Sequence, residues 1–474
     1  MNENADIGLI GLGTMGAALA LNIAEKGSSI AVFNRTAART DAFMAAAGGL
    51  APRIVPSRDL SAFVASIARP RRIILMVPAG EAVDEQIGAL EPLLDEGDII
   101  IDCGNANFAD TNRRAALAQG KPWRFLGIGV SGGEEGARHG PSMMAGGERD
   151  VWDAVSGIFL GIAARHTDGT PCAGWMGEGG AGHFVKMVHN GIEYADMQMI
   201  AEIYGLLRDG YGWNAKQVAD LFARWNEGPL KSYLVEITSH VARARDAESG
   251  LPLLDVIVDQ AGQKGTGRWT VIEAQHLGTP VPVIEAAVAA RNMSAAAGLR
   301  VAGESRFGPA ARRLEGAADT AQLERALIAG KILCYAQGFA MLQRAAADYG
   351  WPLPMADIAR VWRAGCIIRS AMLDDMAAAL EEKPENLVFA ARFAEYLAGT
   401  ADSLRAVVGA ALANGHPVPS LCAGLAWFDQ LRQSRSTANL IQGQRDYFGR
   451  HGFQLAGRDG VRHGPWADAG DAGN

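Results

Sequence analysis

At 474 residues the chain exceeds the size, about 250–300 residues, at which a single hydrophobic core stops growing, so two or three domains are expected. A hydrophobic fraction of 49% and a charged fraction of 20% are those of an ordinary soluble globular protein. The formal net charge of −8 argues against a nucleic-acid or anionic-membrane partner, since such surfaces usually call for a basic excess. An anionic ligand must then be met by local clusters of Lys and Arg. Cys103, Cys172, Cys334, Cys366 and Cys422 are far apart, odd in number and never spaced as C-x-x-C. That pattern fits free thiols in a reducing compartment rather than disulfides or a zinc site, and no metal site is expected. The start lacks the basic region and long apolar run of a signal peptide, and no membrane span is evident, which makes the cytoplasm the default expectation.

In chain order, Asp6 to Ile10 is a short apolar run followed at once by Gly11-Leu12-Gly13-Thr14-Met15-Gly16, a helical pattern from Ala17 to Lys26, and a second strand at Ile30 to Phe33. Strand, G-x-G-x-x-G turn, helix and strand make up a dinucleotide-binding fingerprint, the glycines letting backbone amides and a helix N-terminus approach a pyrophosphate. Where an NAD enzyme would place an acid for the ribose hydroxyls, this chain has Asn34-Arg35-Thr36. Arg35 offers a planar fork of donors to a 2'-phosphate, with Asn34 and Thr36 as neutral donors, so NADP is the expected cofactor. Strands follow at Arg72 to Val77, Asp98 to Asp102 and Phe125 to Val130, continuous apolar runs suited to a parallel sheet covered on both faces. Ligands bind beyond the carboxyl ends of such strands. Val77, Pro78, Ala79 and Gly80, and Gly104 to Asn107, should therefore line the site. Ser131-Gly132-Gly133 after the last strand offers a hydroxyl and free amides to an anion.

From Gly179 to about residue 437 the pattern turns helical. Within Gly182 to Ile200, Lys186, His189, Asn190, Glu193 and Tyr194 fall at i, i+3, i+4, i+7 and i+8, a polar stripe along one side of a helix. A solvated face is the plainer interpretation of such a stripe. Yet Phe184, Val185, Met187, Val188, Ile192, Met197, Met199 and Ile200 surround it, so the helix should be buried and its polar groups in need of partners. An internal echo supports this: Tyr211-Gly212-Trp213 recurs as Tyr349-Gly350-Trp351, and upstream Tyr194 aligns with Tyr335, Glu193 with Cys334 and Lys186 with Leu327. The second copy keeps the scaffold without the acid or the lysine. Gln263-Lys264-Gly265 and Arg291 add cations. Gln444-Arg445 to His451 precedes a Gly-, Asp- and Ala-rich tail that would be disordered unless another surface holds it.

The motifs GLGTMG with NRT, GVSGGEEGARHGPSMMAGG, GAGHFVKMVHNGIEY, AGQKGTGRW, YAQGF, WRAGCIIRS and QRDYFGRH together closely resemble the decarboxylating 6-phosphogluconate dehydrogenases of the pentose phosphate pathway and gluconate utilisation, over essentially the whole chain. The resemblance implies an NADP-binding α/β Rossmann domain (1–178), a large all-α domain built by duplication (179–438) that serves substrate binding and dimerisation, and a C-terminal tail (439–474) that threads into the other subunit of a homodimer. It implies Lys186 as the general base at the 3-hydroxyl and Glu193, about 10 Å along the same side of the helix, as the acid that protonates the enediol. Asn105, His189 and Asn190 match positions that hold substrate hydroxyls, and Ser131, Gly132 and Gly133 the segment at the carboxylate. Tyr194, Lys264 and Arg291, with Arg445 from the second subunit, match the phosphate pocket; His451, also from that subunit, matches a substrate-binding histidine. Gly13, Pro78, Cys103 and Ala106-Asn107-Phe108 depart from the residues common at those places, Ala, Lys, Gly and Ser-Glu-Tyr. Two competing readings stand beside this one: another β-hydroxyacid dehydrogenase acting on a smaller acid, and a non-catalytic NADP-binding protein.

Overall fold

A computed structural model describes residues 4–314 and 319–468. Eight strands form one sheet: β1 (Ile7–Ile10), β2 (Ile30–Phe33), β3 (Ile54–Ser57), β4 (Arg72–Leu75), β5 (Ile99–Asp102), β6 (Arg124–Ser131), β7 (Ser142–Gly146) and β8 (Ala173–Gly177), in the order β3-β2-β1-β4-β5-β6-β7-β8. The first six are parallel, β7 runs antiparallel to β6, and β8 is parallel to β7. The apolar runs mark β1, β2, β4, β5 and β6 to within a residue or two. β3, β7 and β8 carry no such signal. β3 is an edge strand containing Pro56, and the other two, SMMAG and AGWMG, lack β-branched residues.

One face of the sheet is covered by Leu19 and Ile23 of α1 (Thr14–Glu25) with Trp152, Val155 and Phe159, the other by Phe63, Val83, Leu90 and Trp123. Each such side chain, fully buried, contributes about 1.5–3 kcal/mol. Helix α1 begins at Thr14, three residues before the expected start, because the end of the glycine turn already forms its first turn. Gly27, with φ of +108°, closes it. Helices α2 (Phe108–Ala118) and α3 (Gly133–His139) follow β5 and β6.

The helical region is built on α4 (Ala181–Gly205), which packs against α5 (Thr266–His276), α6 (Pro282–Ala295), α7 (Thr320–Tyr349), β6 and β7. Every residue from Ala181 to Ile192 is buried. Of the stripe, Lys186, His189, Asn190 and Tyr194 are interior, and Glu193 is partly exposed. Met197, expected among the apolar surroundings, is instead 40% exposed. Helix α7 is long and apolar enough to cross a membrane, but 89% of its most apolar window is buried inside the protein against α4 and α8 (Ala391–Ala413), as in a core helix. The echoed segments carry equivalent features: α4 and α7 are the long buried helices, Gly212 and Gly350 both have φ of +69°, and Trp225 and Trp362 are both buried. The first copy passes through a π turn at Leu206–Gly210, whereas α7 runs unbroken to Tyr349. Lys331 stands in the second copy where Asn190 stands in the first. Its Nζ donates to both oxygens of the buried Asp196 at 2.6 and 2.5 Å.

Residues from Leu425 onward form a second compact unit. It contains α9 (Ala438–Gly449) and a two-stranded antiparallel hairpin, Phe453–Gln454 with Val461–Arg462. The tail was expected to lack order of its own, but as far as residue 468 it is organised around Asp446. Burial alone would raise that carboxyl. The Gly464 and Gly452 amides, the Trp466 indole and His463 all donate to it and hold it well below the usual carboxylate range. Residues 469–474 lie outside the described residues.

Candidate active site

The sequence of β6 explains how a helix bearing long polar side chains can lie against a sheet. Gly127, Gly129 and Ser131 alternate along one face of the strand. A Cβ at Gly127 would strike the His183 ring at 2.8 Å, and one at Gly129 would run into the Lys186 stem. Ser131 meets His189, Oγ to Nε2 at 3.2 Å. Three small residues thus form a slot for His183, one turn before the stripe, and for Lys186 and His189 within it.

Within that slot Lys186 Nζ donates to Asn190 Oδ1 at 2.5 Å and lies 3.2 Å from His189 Nδ1. Asn190 Nδ2 reaches Asn105 Oδ1 at 3.4 Å, and His189 Nδ1 lies 3.8 Å from Glu193, whose side chain is 21% exposed. The His189 ring packs edge-on against buried Trp362 at 5.7 Å. Burial lowers the Lys186 ammonium, opposed by the Glu193 charge and Cys366. Burial and the Lys186 charge hold His189 neutral far below its ordinary range, and burial raises the Glu193 carboxyl against the opposing pull of Lys186 and Arg291. A lysine pushed down and an acid pushed up in one cluster are each shifted towards the form that a general base and a general acid need. Tyr194 is buried on the next turn. The Arg291 guanidinium lies over its ring at 3.8 Å, an attractive cation–ring contact.

Beyond the carboxyl ends of β1, β2, β4 and β5 opens a cleft of about 820 Å³ lined by Gly11, Gly13, Thr14, Met15, Gly16, Asn34, Arg35, Thr36, Val77, Pro78 and Asn105. Of the residues expected to bind cofactor, Ala79 alone stands outside this lining. Gly80, Ala106 and Asn107, also expected at the site, stand outside it too. The backbone fits a dinucleotide. A Cβ at Gly11 would lie 2.5 Å from the Met76 carbonyl, whereas Gly13 has nothing within 4 Å, so a side chain there would project into open space. Asn34 is used differently from expectation. Its Oδ1 accepts from the Leu12 amide at 3.0 Å and its Nδ2 donates to the Thr36 carbonyl at 3.2 Å, so it ties the glycine turn to the end of β2. Arg39, missed from the sequence, lines the cleft four residues after Arg35. A second cation in the first turn of the helix after Arg35 was the available signal.

Gly132 and Gly133, with φ of +130° and +63°, turn the chain from β6 into α3. Exposed Lys264 lines the dinucleotide cleft, whereas the family resemblance assigns it to the phosphate pocket. Arg445 and His451 belong to the unit beginning at Leu425, where Arg445 donates to Gln442 at 3.2 Å and His451 packs against Phe448.

A phosphate-accommodating glycine turn opening on a cleft, with an acid–base cluster buried beside it, defines the class: a dehydrogenase dependent on a nicotinamide dinucleotide. Residues 6–177 match the sequence model of the NAD binding domain of 6-phosphogluconate dehydrogenase, and residues 182–466 that of its C-terminal domain. The decarboxylating 6-phosphogluconate dehydrogenase of Treponema pallidum is 45% identical, covering 98% of each chain, and that of Candida albicans 47%, covering 95% of this chain and 88% of the other. A Bacillus subtilis relative named as the NAD(+)-dependent decarboxylating enzyme is 44% identical over 98% of this chain and 99% of the other. The Plasmodium falciparum 6-phosphogluconate dehydrogenase, solved apo, with NADP+ and with 6-phosphogluconate, superposes with a TM-score of 0.93 at 39% identity, covering 97% of this chain and all of the other. The chain belongs to the 6-phosphogluconate dehydrogenase family.

Proposed function

We propose that the chain converts 6-phosphogluconate to ribulose 5-phosphate and CO2 with NADP as the hydride acceptor, and that the Lys186 cluster moves the protons. The observation that carries the roles is the contact set of Lys186, His189, Asn190 and Glu193, which Asn190 joins to the dinucleotide cleft through Asn105. When bound, the nicotinamide accepts hydride from C3. Lys186 takes the proton of the 3-hydroxyl. As ammonium it then returns that proton to the keto oxygen while the C1–C2 bond breaks and CO2 leaves, its electron pair forming the enediol double bond. Glu193 protonates the enediol carbon as Lys186 takes back the hydroxyl proton, leaving the ketose. Asn190 and His189 fix the Lys186 ammonium, Asn105, Ser131, Gly132 and Gly133 receive the polyol and carboxylate, and Tyr194, Arg291 and Lys264 receive the phosphate.

NADP is favoured over NAD by the pair Arg35 and Arg39 at the end of the cleft and by the absence of an acid at residues 34–36. Arg445 and His451 complete the site from the tail of a second copy. In support, the second unit exposes Leu440, Tyr447 and Phe448 at 65%, 63% and 74%, an apolar surface suited to burial on another subunit. The five free cysteines agree with a cytoplasmic location. An assay of NADP and NAD reduction with CO2 release, on 6-phosphogluconate and on gluconate, tests the reading. Turnover should require the phosphorylated acid and favour NADP. Equal use of gluconate would instead identify a dehydrogenase of smaller hydroxyacids.

A further inference from the structure

We propose that Arg114 is a positioning residue, and that α2, which carries it, sets the distance between the nicotinamide side of the cleft and Lys186. Arg114 is 1% exposed, and none of the roles above uses it. Its Nε and Nη2 donate to the Asp84 carboxylate at 2.9 and 3.0 Å, Nη2 also donates to the Gly80 carbonyl at 2.9 Å, and Nη1 reaches Asp102 at 3.4 Å. The other oxygen of Asp102 accepts from the Gly104 amide at 2.9 Å. Gly80 ends the loop that carries Val77 and Pro78, Asp84 sits on the helix that presents Gln86, and Gly104 opens the turn that carries Asn105. One guanidinium therefore ties together three segments that line the cleft. The hydrogen bond from Arg114, ahead of the other contributions, holds the Asp84 carboxyl at about 2.

The same helix is also fastened to α4. Asn112 Oδ1 accepts from the Gly180 amide, just before α4, at 2.6 Å. Thr111 Oγ1 lies 2.8 Å from His183 Nδ1, and the Phe108 ring meets Phe184 edge-on at 5.0 Å. Within seven residues, α2 thus grips the loops of the cofactor cleft and the helix that bears the base. A misplacement of about 1 Å between reacting groups lowers rates by about a hundredfold, so a rigid spacer at this place acts on the hydride step itself.

The inference rests on the reaction proposed above. Failure of that reading would appear as no turnover by the unaltered protein, whereas here variants are compared with an active enzyme. Arg114→Lys, Arg114→Met and Asn112→Ala would be assayed for direct NADP binding, for kcat and both KM values, for thermal midpoint, and for the primary isotope effect with 6-phosphogluconate deuterated at C3. Arg114→Lys, which keeps the charge and loses the fork, should weaken NADP about tenfold, lower kcat about tenfold or more and enlarge the isotope effect, with KM for 6-phosphogluconate changed less than about threefold. Asn112→Ala should lower kcat and enlarge the isotope effect without changing NADP binding. The proposal is overturned if folded Arg114→Lys keeps its NADP affinity, kcat and isotope effect, if either loss merely follows the folded fraction, or if Asn112→Ala behaves as the unaltered protein. Should Arg114→Met not fold, the other two variants decide.

Discussion

Lys186 is held between two opposing influences, burial that lowers its affinity for a proton and the Glu193 charge that raises it, and this opposition makes its titration testable. Removing the charge with Glu193→Gln lets burial act with less opposition, so the Lys186 pKa should fall further. The acidic limb of the hydride-transfer rate, measured by rapid mixing, should then move to lower pH; a limb that stays or moves up would separate Glu193 from the lysine. Lys186→Met should lower kcat on the order of a hundredfold to ten-thousandfold while leaving NADP binding nearly unchanged. Arg35→Ala should weaken NADP far more than NAD in direct binding, and equal losses would remove Arg35 from the 2'-phosphate. The polar stripe was legible in the sequence because buried acids and bases stand out against apolar neighbours, and the second copy shows the same scaffold without them. Asn34, Arg39 and Arg114 were not legible as they act. What each does depends on which distant backbone or loop comes within reach, as with Arg114 and Gly80, and periodicity along a chain carries no such information.

At the level of elements, the packing of α4 on β6 depends on side chains that are absent. Gly129→Ala should force the Lys186 stem away from the strand, costing about 1–3 kcal/mol in overpacking. Its kcat should fall by more than the loss of folded protein explains, which parallel thermal melts and kinetics would reveal. Helix α4 was predicted from Gly182 to Ile200, short of its end at Gly205, and five parallel strands were predicted because fully buried strands are written as unbroken apolar runs. β7 and β8 escaped because their residues are small or Met-rich. The two glycines of β6 were visible in the sequence, but their purpose was not, since a glycine in a strand reads equally well as a weakness, a bulge or a close approach.

For the whole molecule, the tail is the part proposed to act on a second copy of the chain. Asp446 gathers its polar groups into a small ordered unit while large apolar side chains stay outside. Deleting the chain from Arg445 onward should raise KM for 6-phosphogluconate severalfold or abolish turnover, with NADP affinity retained; an unchanged KM would show that the site is complete without it. The duplication was legible as repeated Tyr-Gly-Trp motifs, but the ion pair joining the two copies, Lys331 to Asp196, was not, because it matches unlike positions of the repeat.

The glycine slot on β6 bears on how the enzyme can be taken apart. A chain ending near residue 178 would present a groove of bare backbone shaped to one helix, and a chain beginning there would present a helix whose lysine and histidines lack their sheet. Neither surface suits water, yet each is a close mould of the other. The two pieces, expressed separately and mixed, should therefore find each other and regain turnover, a case of fragment complementation in which the deep interlock of the site would also be the handle for its reassembly.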